Sequence, residues 1–417
     1  MSGAPLAITG LGAVTPLGAG TPALHGALSD NLCGIAAREI VIEGVERFTF
    51  GAAACAGFDE RQQRGPSGVA LDRGTALALA AAREAAAQAG LGTAAEPAVD
   101  AERLAVYWGA GMGGAASLDQ TTEQLYAHRR RMRPTTVLTT MPNAAAAELS
   151  MAFGARAASM GYACACASAA VAIGEAMRAV RAGWADVAIA GGHEALLTPG
   201  LVAGWQAMKV LAPAAGAPAE VCRPFAADRA GFALGEGAAA LVIESLDCAR
   251  RRGAPVLALL SGYGTSCDAE HISSPSSRGQ VRAMRAALAD AGLSPAEIGH
   301  VNAHGTGTTA GDVAEAASLA EVFGTVGVPV SATKALHGHL MGAGGAIELI
   351  CALHALHTSR LPAAAVPPAP SMGIDLVHGR TPRAVAPFAH VMSNSFAFGG
   401  TNAVIVASRL RAPGAGD

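Results

Sequence analysis

The stretch Tyr162–Glu194, YACACASAAVAIGEAMRAVRAGWADVAIAGGHE, decides how the rest of the chain is read. Small residues lead up to Cys166. Helix-favouring residues follow over 167–182, with Val171, Ile173, Ala176, Met177 and Val180 on the apolar side. Gly183 supplies a stop, and the apolar run 185–190 suits a buried strand. This order predicts Cys166 at the tip of a tight turn, beside the N-terminus of a largely buried helix. Unpaired N–H groups and the positive dipole end there favour a thiolate over a thiol, which makes a cysteine nucleophilic at neutral pH. Cysteine is also a common packing residue, and Cys164 stands close by, so the assignment depends on what the rest of the chain supplies.

Around this stretch, strand and helix patterns alternate, the mark of an α/β fold. A chain of 417 residues buries a large core, and one unit of that size is unusual. Charged residues make up 15% and aromatics 4%, while apolar residues reach 51%. Alanine and glycine therefore carry the apolar count, which implies closely packed helices and sheets rather than aromatic pockets. A net charge of −3 gives no overall pull toward nucleic acid or an acidic membrane. No apolar run approaches the roughly 18 residues of a membrane span. The opening MSGAPLAITGLGAVTPLG lacks a basic segment and reads as strand plus loop, not as a signal peptide. The 8 cysteines show no C-x-x-C or zinc-like pairing, so a reducing cytoplasm is expected.

A faint duplication runs through the chain. ITGLGAVTPLG (8–18) is echoed by LSGYGTSCDAE (260–270), and AAREAAAQAGL (81–91) by MRAALADAGL (284–293). Each helix leads to a strand with a glycine-rich exit, VYWGAGMGG (106–114) and VNAHGTGTT (301–309). Two homologous halves follow, 1–250 with the cysteine and 251–417 with the histidines. The first half carries an insertion over about 115–160, including the basic run HRRRMR (128–133).

The second half supplies the partners Cys166 needs. His304 ends an apolar strand where glycines let a ligand approach the backbone. VSATKALHGHLMGAGGAIE delivers Lys334, His337 and His339 just before a helix starting near Ala343, and SNSFAFGGTN sets Phe398 among glycines. One cysteine, two strand-end histidines, one lysine and a glycine-rich loop fit acyl transfer through a thioester. Metal binding needs clustered ligands at fixed spacing, and these are far apart in sequence, so no metal site is expected.

Taken together, AITGLGAVTPLG, ACAS around Cys166, AGGHEALLTP, RPFAADRAGFALGEGAA, NAHGTGTTAGD, TKALHGHLMGAGGAIE and NSFAFGGTN resemble the β-ketoacyl-acyl carrier protein synthases, type I/II condensing enzymes of the thiolase superfamily. The resemblance covers nearly the whole chain. It implies a thiolase-like fold with a duplicated five-layered α/β/α/β/α architecture, and a homodimer or a heterodimer with a related subunit. Cys166 would then be the nucleophile that takes an acyl chain from acyl carrier protein or coenzyme A. His304 and His339 would polarise the malonyl thioester and support its decarboxylation. The backbone N–H groups of Cys166 and Phe398 would form an oxyanion hole. Lys334 and Glu348 resemble an ion pair that orients the histidines. Thr306 and Thr308 match positions lining the phosphopantetheine tunnel, and His337 has no role beyond structure. Met112 matches a position along the acyl channel, with Thr135 and Thr136 at its far end. Arg130, Arg131 and Lys209 match places that contact the acidic carrier. No resident cofactor is implied, because phosphopantetheine arrives on the carrier.

The chain also departs from the family pattern. Ala157-Ala158-Ser159 replaces the usual Gly-Pro-Ser before the nucleophile, AFGG replaces GFGG, and Thr135 and Thr136 replace bulky aromatics. These changes open a second expectation, a ketosynthase dedicated to a polyketide or aryl polyene pathway and paired with a chain-length-factor-like subunit. A biosynthetic thiolase would show a Cys-His-Cys set, and an inactive partner subunit would lack the nucleophile. Cys166 with both histidines argues against each.

Overall fold

The computed structural model describes residues 5–410. Two runs of strands and helices follow one another. The first holds β1 (Leu6–Thr15), α1 (Arg73–Ala89), β2 (Leu104–Ala110), α2 (Ala115–Tyr126), α3 (Thr136–Thr140), α4 (Ala144–Phe153), β3 (Ser159–Tyr162), α5 (Ser168–Arg181), β4 (Val187–Glu194) and β5 (Gly237–Ser245). The second holds β6 (Ala258–Cys267), α6 (Ser277–Ala291), β7 (Ile298–Asn302), α7 (Thr309–Phe323), β8 (Pro329–Ser331), α8 (Gly344–Thr358), β9 (His390–Phe396) and β10 (Thr401–Ser408).

Strand order is β3-β2-β4-β5-β1 in the first run and β8-β7-β9-β10-β6 in the second. In both, the two outer pairings are parallel and the next two antiparallel. β1 and β6 pair from Leu6↔Leu260 to Ile8↔Ala258, which joins the runs into one 12-stranded sheet completed by two short strands. Helices α5 and α8 lie between the two halves of this sheet, in a core fed by both. Helices α1 and α4 cover the far face of the first half, and α6 and α7 that of the second. The result is the five-layered α/β/α/β/α arrangement.

The echoed glycines have a packing reason. A Cβ on Gly10 or Gly12 of β1 would stand 2.0 or 1.9 Å from the carbonyl oxygen of Ala85 or Ala81 on α1. On Gly262 or Gly264 of β6 it would stand 2.3 or 2.1 Å from that of Ala287 or Ala283 on α6. Strand and helix backbones therefore touch directly, which needs glycine on one side and alanine on the other.

Some details differ from the sequence reading. The helix after Cys166 starts at Ser168 rather than 167, after a tight turn over Ala165–Ala167, and the next strand runs Val187–Glu194 rather than 185–190. The 115–160 insertion folds into α2, α3 and α4 and ends in β3, the edge strand beside β2. Among the described residues, no helix is long and apolar enough to cross a membrane.

Candidate active site

Cys166 sits in the turn that opens α5. Ala165, just before it, has φ 46°, a left-handed conformation that residues with a Cβ rarely adopt. Such backbone costs on the order of 1–3 kcal/mol and persists only where its surroundings hold it. Here Ser168 holds it: its Oγ donates to Ala165 O (2.6 Å) and accepts from Cys164 N (2.9 Å).

The partners come from the second half. His304 leaves β7 on a loop whose backbone is gripped by carboxylates of α7. Glu315 accepts from His304 N (2.8 Å) and Gly305 N (2.7 Å), and Asp312 from Gly307 N (3.1 Å) and Phe225 N (2.5 Å). His339 lies just before the turn Met341–Ala343 that opens α8. Its Nε2 is 3.1 Å from Cys166 Sγ. The His304 and His339 rings meet edge to face, centroids 5.5 Å apart, and Phe232 packs edge-on against His339 at 5.1 Å.

Hydrogen bonds settle where the ring protons lie. Met341 N–H donates to His339 Nδ1 (3.3 Å), which leaves the His339 proton on Nε2, facing Cys166. Lys334 Nζ lies 3.3 Å from His304 Nδ1, donates to His304 O (2.6 Å) and forms a buried ion pair with Glu348. With Lys334 as donor, the His304 proton is also on Nε2. Burial first, then the Lys334 charge, holds both rings well below their ordinary pKa, so they are neutral N–H donors at neutral pH. His337 has its ring occupied by Gly338 O (2.8 Å) and Thr333 Oγ1 (3.1 Å).

Cys166 Sγ and one ring nitrogen each of His304 and His339 lie within 4.8 Å of one another, a spacing a metal ion could bridge. A protonated Nε2 offers no lone pair, so the arrangement suits hydrogen-bond donation to a developing oxyanion better than metal ligation. Burial pushes the Cys166 thiol up to about 12; Lys334 works against this, and Glu194 and Glu348 add to it. Burial thus opposes the thiolate more strongly than the helix end favours it. A rise from 9.0 to about 12 is worth roughly 4 kcal/mol, against about 2 kcal/mol at most from a helix terminus.

Two family models match the chain: the β-ketoacyl synthase N-terminal domain over residues 4–249 and the C-terminal domain over residues 257–366. The chain belongs to the β-ketoacyl synthase family. It is 41% identical over 341 residues to nodulation protein E of Rhizobium leguminosarum bv. trifolii, covering 81% of this chain and 82% of that one. It is 38% identical over 349 residues to 3-oxoacyl-[acyl-carrier-protein] synthase 2 of Staphylococcus aureus (strain COL), covering 82% and 83%. Among solved structures, the ishigamide ketosynthase/chain length factor superposes with a TM-score of 0.87 at 30% identity, over 98% of this chain and all of that one. The fold is the thiolase-like fold of ketosynthases, and the chain is a condensing enzyme of that type.

In this ketosynthase, Cys166, His304, His339, Thr306, Thr308, Phe398 and Lys209 line one cavity of about 270 Å³. Phe398 is half-buried and stacks on Trp205 at 6.4 Å, and the Thr306 and Thr308 hydroxyls are 2.9 Å apart. Other expected residues lie elsewhere. Met112 is 45% exposed and does not line that cavity. Thr135 and Thr136 share a second, polar cavity with Arg130 and Arg131, apart from Lys209. Sequence reasoning gave the threonines and the arginines separate tasks; the structure puts them side by side. It also missed Glu194, Asp312 and Glu315. The sequence carries no signal for them beyond their being acids in a chain with few charges; their burial belongs to the fold.

Proposed function

We propose that this ketosynthase performs a decarboxylative Claisen condensation between an acyl chain carried on Cys166 and malonyl-acyl carrier protein, in fatty acid or polyketide biosynthesis. The observation that carries this reading is the 3.1 Å approach of His339 Nε2 to Cys166 Sγ, with the His304 ring against it. In loading, Cys166 sulfur attacks the acyl thioester carbonyl, and the pantetheine thiol leaves with the proton that Cys166 gives up. The oxyanion of that step is held by Cys166 N–H and Phe398 N–H.

In condensation, malonyl thioester loses CO₂, and the electron pair left behind becomes an enolate. The Nε2–H groups of His304 and His339 stabilise its oxygen, so no strong base is needed. The enolate carbon attacks the Cys166 acyl carbonyl, and collapse releases the β-ketoacyl product and the Cys166 thiolate, which takes up a proton. Lys334, paired with Glu348, fixes the His304 tautomer. Thr306 and Thr308 line the pantetheine arm. No resident cofactor takes part; the phosphopantetheine arrives on the carrier.

Lys209, exposed at the cavity mouth, suits docking of an acidic carrier, with Arg130 and Arg131 farther away as a second contact. In this reading Met112, Thr135 and Thr136 would serve the acyl end by their match to the family, although none of them lines the Cys166 cavity. The edge strand β3 has Met160 47% exposed and, among the described residues, one unpaired side, which supports pairing with a second subunit. The free cysteines are consistent with a reducing cytoplasm. A second reading, a polyketide or aryl polyene ketosynthase working with a chain-length-factor-like subunit, draws on the 30% identity to the ishigamide ketosynthase/chain length factor.

The test is reconstitution with acyl carrier and malonyl carrier. Coupled CO₂ release and a β-ketoacyl carrier product support the reading. Acyl exchange without CO₂ release contradicts it and points to thiolase chemistry.

A further inference from the structure

Glu194, the last residue of β4, is fully buried and makes no ion pair among the described residues. Its carboxylate is held by backbone N–H groups from two places. Gly111 N (2.8 Å) and Met112 N (3.3 Å) come from the exit of β2, and Gly342 N (3.1 Å) from the turn that opens α8. Room for it exists because both approaching residues are glycine: a Cβ would stand 2.4 Å from Oε2 on Gly111 and 2.8 Å on Gly342. A buried carboxylate without a cation is poor value for stability, so the question is what it holds in place.

Gly342 follows Met341, whose φ is 44° and whose N–H occupies His339 Nδ1. Two successive N–H groups of one strained turn therefore point to different acceptors, His339 and Glu194. Released from Glu194, the turn has no other anchor for Gly342 N–H, and Met341 N–H is free to swing off the ring. His339 could then put its proton on Nδ1 and lose the donor that faces Cys166.

We propose that Glu194 is a positioning residue: by tying the Met341–Ala343 turn to the exit of β2, it keeps His339 in the Nε2–H form toward Cys166. The inference deepens the condensing reading and rests on it for its kinetic arm alone. The Glu194 charge adds to the rise of the Cys166 thiol pKa, while burial first, and the Asp72 charge last, push the Glu194 carboxyl itself up to about 7. Its charge thus opposes ionisation of the nucleophile while its geometry supports the histidine.

The test uses Glu194→Gln, which keeps the shape, removes the charge and turns one acceptor into a donor. Imidazole ¹⁵N signals of His339, assigned by their loss in His339→Ala, should report the Nε2–H form in the native protein and a mixture of tautomers in the variant. CO₂ release from malonyl carrier should fall about 10–100-fold in kcat with KM little changed, the size expected of a misplaced group. Alkylation of Cys166 by iodoacetamide should shift its pH profile to lower pH, since a neighbouring negative charge is gone. Glu194→Asp, which keeps the charge but withdraws it by one methylene, should show the tautomer mixture without the profile shift; it serves also where the Gln variant does not fold. A pure Nε2–H signal with native kcat in the folded variant overturns the proposal. Native protein that releases no CO₂ sinks the condensing reading instead, and the tautomer signals then decide this one.

Discussion

The turns that open α5 and α8 are counterparts in the two halves, and they differ in one respect that matters. Each is a single tight turn led by a residue with positive φ, Ala165 at 46° and Met341 at 44°. After Ala165 comes Cys166; after Met341 comes Gly342. The two turns pack against each other, with Cys166 Sγ 3.9 Å from Met341 Sδ. One copy of the turn thus presents a sulfur and the other a bare backbone with a histidine beside it. In the proposed chemistry, the same topology places the nucleophile on one side and hydrogen-bond donors on the other. The two halves share a strand order, and a few side chains make them asymmetric.

The strongest way to break this comparison is at the first turn. Cys166→Ala should reduce condensation to background, whereas Cys164→Ala, outside the hydrogen-bonded reach of either histidine, should stay near native. Condensation assays on the pair check this. On the other side, Lys334→Met leaves Glu348 as an unpaired buried charge. Loss of one partner from such a pair costs about 3–5 kcal/mol, read as a lower midpoint in urea, and the His304 tautomer should become mixed.

The histidines sharpen the division of labour. His304→Ala and His339→Ala should each lower CO₂ release by about 10²–10³ while acyl loading persists, because removing one oxyanion donor costs that much. Equal loss of loading and CO₂ release would remove the distinction between the halves.

A smaller effect concerns pH. Among the described residues, burial holds eight histidines below their ordinary pKa. It raises five carboxyls. A lowered histidine gives its full stability above 6.5 and loses it as pH falls; a raised carboxyl gives its full stability at low pH and loses it as pH rises toward about 7. In the window from 4.5 to 6.5 the histidines are the larger set, so the thermal midpoint should drop on acidification through it. The smallest effect is at the surface. Lys209→Glu should raise KM for carrier-bound substrate a few-fold at low salt, with the difference fading as salt rises and small thioesters unaffected.

Much of this was legible in the sequence, for local reasons. Cys166 precedes a strongly periodic apolar helix, and His304 ends an apolar strand, so pattern alone placed both. The glycine echo at 10–12 and 262–264 marked the duplication because backbone contact leaves no alternative residue. What stayed hidden depends on tertiary contact. Glu194, Asp312 and Glu315 act through backbone N–H groups that only the fold delivers. Burial works against the thiolate expected at Cys166; a helix end could be read from sequence while burial could not. Arg130, Arg131 and Lys209 group as carrier contacts by family resemblance, and the arginines line a different cavity from Lys209.

The most direct test of the account is peptide mass spectrometry of the native protein after incubation with a panel of acyl carriers. The account predicts an acyl mass on the peptide containing Cys166, absent in Cys166→Ala and discharged with CO₂ release when malonyl carrier is added. An acyl group on any other residue, or one on Cys166 that malonyl carrier does not discharge, would contradict it.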